Sequence, residues 1–381
     1  MKRQRQQIRK TRAVLITAIG IVFIGITKAQ NVSISPTGNP PDNSAALDIR
    51  DYTDKGVLIP RLTTAQRNAI PSPANSLLIF NTDCREFQYW DGSKWMSLLG
   101  VPYSTSSGGS ISFNFTSTTV QTWTVPSCVS TLTIKVWGAG GGGGGWDGPS
   151  CSATTYSAGS GGGGSFASVI VSVNPGDVLN IYVGQGGKSG TGQCSSGNSG
   201  VGGWGYKNGG NGGTIAGGGG GGGSSAVINA TQNVTLAVAG GGGGGGGNGN
   251  NGNGGNGGGG GQNGSSGGGG SGGNASSNPG GNGSNGNNVG DGGGGGGGGG
   301  GYTFGGNGGN ASSGGCDCGG GGGGGGNSFV TGGGTINNGS GKNPGNAGDP
   351  DRPSGIGEGG NGAIYGSSGQ NGGHGFVKIY Y

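Results

Sequence analysis

The side chains able to do chemistry are few in this 381-residue chain, and they lie far apart. His374 is the only histidine and stands two residues before the alternating segment Phe376–Tyr381. General acid–base work needs two titratable groups within hydrogen-bond reach. The acids are scattered through loops, so His374 reads as a turn or edge residue, no catalytic residue is assigned, and an enzyme is not expected. Cys84, Cys128, Cys151, Cys194, Cys316 and Cys318 allow many pairings. Cys151 and Cys194, each in a polar loop following a strand-like run, are the favoured disulfide. Cys316-Asp317-Cys318 is open to a redox pair, a metal pair or a tight bridge. With no second ligand pair and no histidine nearby, zinc is disfavoured, and no metal or cofactor is expected. Tyr182–Ser189 ends in Gly187-Lys188-Ser189 like a phosphate loop, but Tyr182 stands where the first glycine belongs and no helix follows.

A third set of residues offers binding rather than catalysis. Trp146, Tyr156, Trp204, Tyr206, Tyr302, Phe304 and Tyr365 all sit in glycine-rich loops, outside the alternating runs. Aromatic rings among serine, asparagine and glycine suit recognition of sugars or proteins. The same rings would also serve to cover the apolar margin of a packed glycine region. Both readings stand.

What must position these rings is glycine. The chain holds 113, and all but eight lie from Gly138 onward, in tracts such as Gly217–Gly223, Gly240–Gly247, Gly292–Gly301 and Gly319–Gly326. Ordering a residue costs about 1–2 kcal/mol, glycine sits at the expensive end, and no side chain offsets the cost. The tracts therefore either stay disordered or pack backbone against backbone. Aspartate is too sparse among them for calcium-binding glycine repeats. Proline and strict three-residue periodicity are too sparse for a collagen helix.

Charge narrows the partners. The formal net charge is +5, but Lys2, Arg3, Arg5, Arg9, Lys10, Arg12 and Lys28 all precede residue 31. Beyond residue 100 Arg352 is the only arginine. A glycine-rich nucleic-acid binder needs arginines to neutralise phosphates and stack on bases, so nucleic acid is excluded as a partner. The basic start, the apolar run Ala13–Thr27 and the sequence Thr27-Lys28-Ala29-Gln30 read as a secretory signal peptide cleaved after Ala29. A secreted or cell-surface protein follows, with no membrane span once the signal is removed.

Residues 30–100 read as a small β-rich module. Thr63–Ile70 offers a helical turn or two, with Thr63 or Thr64 as cap and Pro71 as stop. Glu86–Trp90, Asp91-Gly92 and Lys94–Leu98 form a hairpin signal. Across residues 39–98 the chain carries Ser-Ala-Ala-Leu-Asp, Lys-Gly-Val-Leu-Ile-Pro-Arg, Thr-Ala-Gln-Arg and Tyr-Trp-Asp-Gly-Ser-Lys-Trp. This succession resembles an N-terminal module of exported surface proteins of Bacteroidota-type bacteria. The resemblance implies export and no activity. Arg61, Arg67 and Asp48 read as locally hydrogen-bonded or solvated charges.

After a linker at 101–109, residues 110–381 alternate with period two in Ile111–Phe115, Leu132–Val136, Val169–Val173, Leu179–Val183 and Val234–Val238. This predicts an all-β domain, an antiparallel jelly roll or sandwich. Glycine tracts begin where strands end, and a final strand returns at residue 376. The glycine is thus an insertion hung between strands. "QTWTVPSCVSTLTIKVWGAGGGGGG", "VSVNPGDVLNIYVGQGG" and "GGHGFVKIYY" resemble the bacterial glycine-rich domain family, the extracellular glycine-rich region of anaplastic lymphoma kinase-type receptors, and some phage tail-tip adhesins. That resemblance implies glycine tracts folded as polyglycine II helices on a jelly-roll sheet. Ten residues, Gly292–Gly301, would span ~31 Å in such a three-residue-per-turn helix. Repeats such as Asn-Gly-Gly would put a side chain at every third position, along a solvent-facing edge. The functional expectation is adhesion to an unidentified glycan or protein through a rigid glycine-rich tip, with self-association into a homo-oligomer compatible. The alternative is a structural envelope or matrix spacer without a specific ligand.

Overall fold

The computed structural model describes residues 31–93, 95–98, 109–126, 128–147, 155–192, 198–214, 216–275, 278–279, 292–312, 317–365 and 367–381. The expected Cys151–Cys194 pair lies outside them. The chain divides after Arg61 into two compact units. In the first, β1 (Val32–Ile34) and β2 (Leu47–Ile49) form a two-stranded parallel sheet. Asp48 is bound to Arg50 at 3.1 Å and accepts the amide of Asp42. The carboxylate of Asp51 gathers Ser35, Thr37 and Asn39.

At that division stands β3 (Arg61–Leu62), the edge of a four-stranded sheet that continues with β4 (Leu78–Asn81), β5 (Glu86–Trp90) and β6 (Trp95–Ser97), in that order. Helix α1 (Thr64–Asn68) starts as the sequence predicts. Thr63 caps it, and Gln66 completes a reciprocal capping box. The predicted hairpin is β5–β6, with Gly92 at φ +100° in its turn. Arg67 does local work, donating to Gln88 and lying over the Trp95 ring.

The rest is an antiparallel β-sandwich. Its strands are β7 (Ser110–Asn114), β8 (Gln121–Thr124), β9 (Thr131–Trp137), β10 (Phe166–Ser172), β11 (Val178–Tyr182), β12 (Ser225–Asn229), β13 (Val234–Ala239), β16 (Phe329–Val330), β17 (Thr335–Asn337) and β18 (Phe376–Tyr380). A short antiparallel pair, β14 (Asn278–Pro279) with β15 (Phe304–Gly305), lies within the glycine region. One sheet runs β17-β10-β9-β18-β7 and the other β16-β13-β12-β11-β8. Inward residues of the alternating runs form one core that includes Leu132, Ile134, Val136, Val169, Leu179, Ile181, Val227 and Ile379. The final strand enters between β7 and β9, so both ends of the glycine insertion are fixed in one sheet. Strand β13 carries a bulge that alternation alone does not reveal: Ala237 faces Val227, Thr235 faces Ile228, and Leu236 is the extra residue.

A disulfide joins Cys84, in the turn after β4, to Cys128, in the turn before β9. Cys318 is also disulfide-bonded.

On the outer face of the first sheet, Lys135 of β9 and Lys378 of β18 hold the segment after β17. Lys135 reaches Asp349 at 3.0 Å and Asp351 at 2.6 Å, and Lys378 reaches Asp351 at 2.9 Å. Partial burial opposes ionisation of Asp351. Hydrogen bonds from Lys135, Tyr380 and Lys378 outweigh it and hold the carboxyl far below the ordinary carboxylate value. A depressed native pKa contributes stability that is present above the unfolded value, near 3.8, and is lost as pH falls below it. Acid melting of the wild type should therefore show a loss that Asp351→Asn lacks below pH ~4, whereas at pH 7 that variant should be less stable by about 2 kcal/mol. Parallel pH–stability curves would refute this assignment.

Candidate functional site

The sandwich and the glycine region meet at a layer of aromatic side chains. Trp137, Phe166 and Phe376, at the junction ends of β9, β10 and β18, pack together with ring centroids 4.8 and 5.8 Å apart. Beyond them side chains vanish and the strands continue as extended glycine rods. Sheets filled with side chains pack about 10 Å apart. Bare glycine backbones approach closely enough to hydrogen-bond between layers as well as within them.

The bonding pattern has a period of three. In the rod 138–145, Gly141 and Gly144 donate to Gly162 and Gly159, Gly142 and Gly145 to Gly220 and Gly217, and Gly140 and Gly143 to Gly373 and Gln370. The carbonyls of the same rod accept from three further rods: Gly142 from Gly245, Gly140 and Gly143 from Gly187 and Gly190, and Gly141 and Gly144 from Gly360 and Ala363. Six neighbours around one rod, addressed in rotation every third residue, is the three-fold polyglycine arrangement. The rod 240–247 repeats it, donating toward 294–300, 139–142 and 255–258 and accepting from 159–165, 219–222 and 320–326. The interior of the lattice is therefore held by backbone bonds. Tyr182–Ser189, the near phosphate loop, supplies one of these rods.

Where the lattice ends, asparagine completes it. The side-chain carbonyls of Asn253, Asn256, Asn211, Asn371 and Asn327 accept the amides of Ser157, Ser160, Gly202, Ser189 and Tyr302 at 2.8–2.9 Å. The predicted third-position side chains do lie along exposed edges. They also satisfy donors for which the next rod is missing, a role that the Asn-Gly-Gly spacing could have suggested.

The aromatic residues fall into separate groups. Tyr182 and Phe329 lie on the outer face of the second sheet, in one cross-strand row with Ala226 and Val238. Ala226 and Val238 are fully buried yet point away from the sandwich core. Trp204 stacks on Tyr182 at 6.0 Å, Tyr206 meets it edge-on at 5.5 Å, and Tyr302 stacks on Phe329 at 4.3 Å. Tyr206 also hydrogen-bonds Thr235 on the same face, and burial raises its pKa. These three rings form a lid over small outward-facing side chains. Small apolar residues at alternating outward positions of β12 and β13 were the available signal for it.

The second group lies at the end of the rods away from the sandwich. Trp146 is buried with Ala158 and Ala363, and Tyr365 meets it edge-on at 5.2 Å. Ile364 and Tyr365 are 61% and 63% exposed. Beside them Ser157, Ser160, Asn361, Ile364, Ser367 and Gln370 line a groove of about 480 Å³. Tyr156 is partly exposed nearby, its carbonyl accepting from Asn248. Phe304 is 45% exposed and belongs to neither group. Ile364 and the groove were not foreseen, because a groove between rods exists only once the rods are packed.

His374 stacks on Phe115 at 4.5 Å, and its Nδ1 accepts the amide of Gly186 at 3.1 Å. Burial, helped by Lys188, lowers its pKa. It acts as an acceptor at the sandwich–bundle junction.

Residues 34–119 match the family described as a phage tail like trimerisation region. No curated protein matches the chain. The matched portion is thus phage tail-like, compatible with a structural role at a tail tip or in an adhesin and with homo-oligomerisation. Among the described residues no helix is long and apolar enough to cross a membrane.

Proposed function

We propose that this chain is an exported, non-enzymatic surface protein that recognises a glycan or a protein through the far end of its glycine bundle. The N-terminal portion would assemble several copies, and the glycine bundle would carry the binding surface. The observation that carries this reading is the exposed Ile364–Tyr365 corner beside a groove of serine, asparagine and glutamine side chains. An apolar ring next to uncharged donors and acceptors suits a sugar face or a polar peptide. Ile364 donates its amide to the Ser367 hydroxyl and Ser367 donates its amide to the Ile364 carbonyl, a turn that fixes the corner and lowers the ordering cost of binding. The sequence features in support are the signal-peptide pattern, the near absence of arginine beyond residue 100, and the likeness to glycine-rich adhesin domains.

The test is binding of the purified protein to a glycan array and to bacterial cell surfaces. Tyr365→Ala should weaken binding by about 1–3 kcal/mol, about 5- to 150-fold, with no more than a small fall in melting temperature from the lost edge contact with Trp146. Trp204→Ala and Tyr302→Ala should instead lower stability, since those rings cover the second sheet. Binding unaltered by Tyr365→Ala would sink the recognition role of this corner.

A further inference from the structure

The first unit leaves one apolar surface uncovered. Val32 and Ile34 alternate along β1, and Leu47 and Ile49 along β2. The parallel register pairs Val32 with Leu47 and Ile34 with Ile49, which sets all four side chains on one face. They are 39–57% exposed. The opposite face is engaged by the chain itself: Ser33 donates to the carbonyl of Asn39, and Asp48 holds Arg50 and the amide of Asp42. Parallel strands occur almost only with both faces covered, and two strands alone are barely stable in water.

We propose that the Val32–Ile34–Leu47–Ile49 face is where two further copies of this chain pack, building a homotrimer about a three-fold axis. The proposal rests on the assembly reading above and assigns it a surface. The face carries no charge, so an identical face meets it without repulsion or buried ions. The stretch similar to a trimerisation region opens at Ile34 and contains Leu47 and Ile49. Aspartates placed here would face one another across the axis and oppose assembly.

Sedimentation velocity of the full chain at micromolar concentration tests this. The wild type should sediment at three times the chain mass, and Ile34→Asp/Leu47→Asp as a monomer with the thermal transition of the sandwich unchanged. Should that variant misfold, Leu47→Cys treated with a short bismaleimide decides, because covalent links between copies should form at that position. A wild-type trimer that survives the aspartates, or one in which Leu47→Cys does not cross-link, overturns this face but leaves assembly standing. A monomeric wild type overturns both.

Discussion

Gly243→Ala should destabilise the glycine domain by more than about 3 kcal/mol, whereas Gly348→Ala should leave stability unchanged or raise it by up to about 1 kcal/mol. A Cβ on Gly243 would come well inside 3.0 Å of the carbonyl of Gly323. That carbonyl cannot yield, since it accepts from Gly258 and its rod is bonded to several others. Gly243 itself donates to Gly258 and accepts from Gly162. Room for one methyl would require moving at least two rods and stretching the bonds that tie them together. Around Gly348 nothing lies within 4 Å of the added carbon, so only the lowered entropy of the unfolded chain is felt there. For a domain of this size the first substitution should cost on the order of 10 °C in melting temperature. Hydrogen exchange across 240–275 should be slow in the wild type and faster in Gly243→Ala. Equal melting of the two variants, or fast wild-type exchange throughout the rods, would refute a load-sharing lattice.

Much of this architecture is legible in the sequence, because the strands obey period-two alternation and the tracts begin where strands stop. Val136-Trp137-Gly138 and Val238-Ala239-Gly240 announce that neighbouring strands become neighbouring rods. What the sequence withholds are relations between distant segments. Six rods around Gly140–Gly145 come from six separate stretches, and a homogeneous glycine tract carries no mark of which neighbour it meets. The aromatic residues show the same limit. Trp146, Trp204, Tyr206, Tyr302 and Tyr365 look alike in composition and context. Their environments differ because three of them find Tyr182 or Phe329 on the outer sheet face, Trp146 finds Ala158 and Ala363, and Tyr365 lies edge-on to Trp146 yet stays mostly exposed. The bulge at Leu236 is invisible for a related reason, since one extra residue shifts a register that only the partner strand defines.

The Cys84–Cys128 bridge was equally hidden, and its removal should have the second large effect. The four-stranded sheet is poor in core: among its described residues Ile79 is the only buried apolar side chain, accompanied by buried Asn81, Gln88 and Ser97. The sandwich, by contrast, buries a full layer of apolar residues. The bridge closes a loop of 44 residues, for which the chain-entropy account gives about 4 kcal/mol. That contribution falls on the side with little else to hold it. Reduction, or Cys84→Ser, should therefore speed amide exchange in Leu78–Ser97 by about a hundredfold or more while the sandwich strands stay protected. Cys128→Ser should match Cys84→Ser, and the double variant should be no worse than either, because all three delete the same constraint and their effects cannot add. Unchanged exchange in β4–β6 after reduction would show that the sheet stands without the bridge. If it loosens as expected, the bridge is what holds the small sheet together, and an oxidising compartment is a condition for its order.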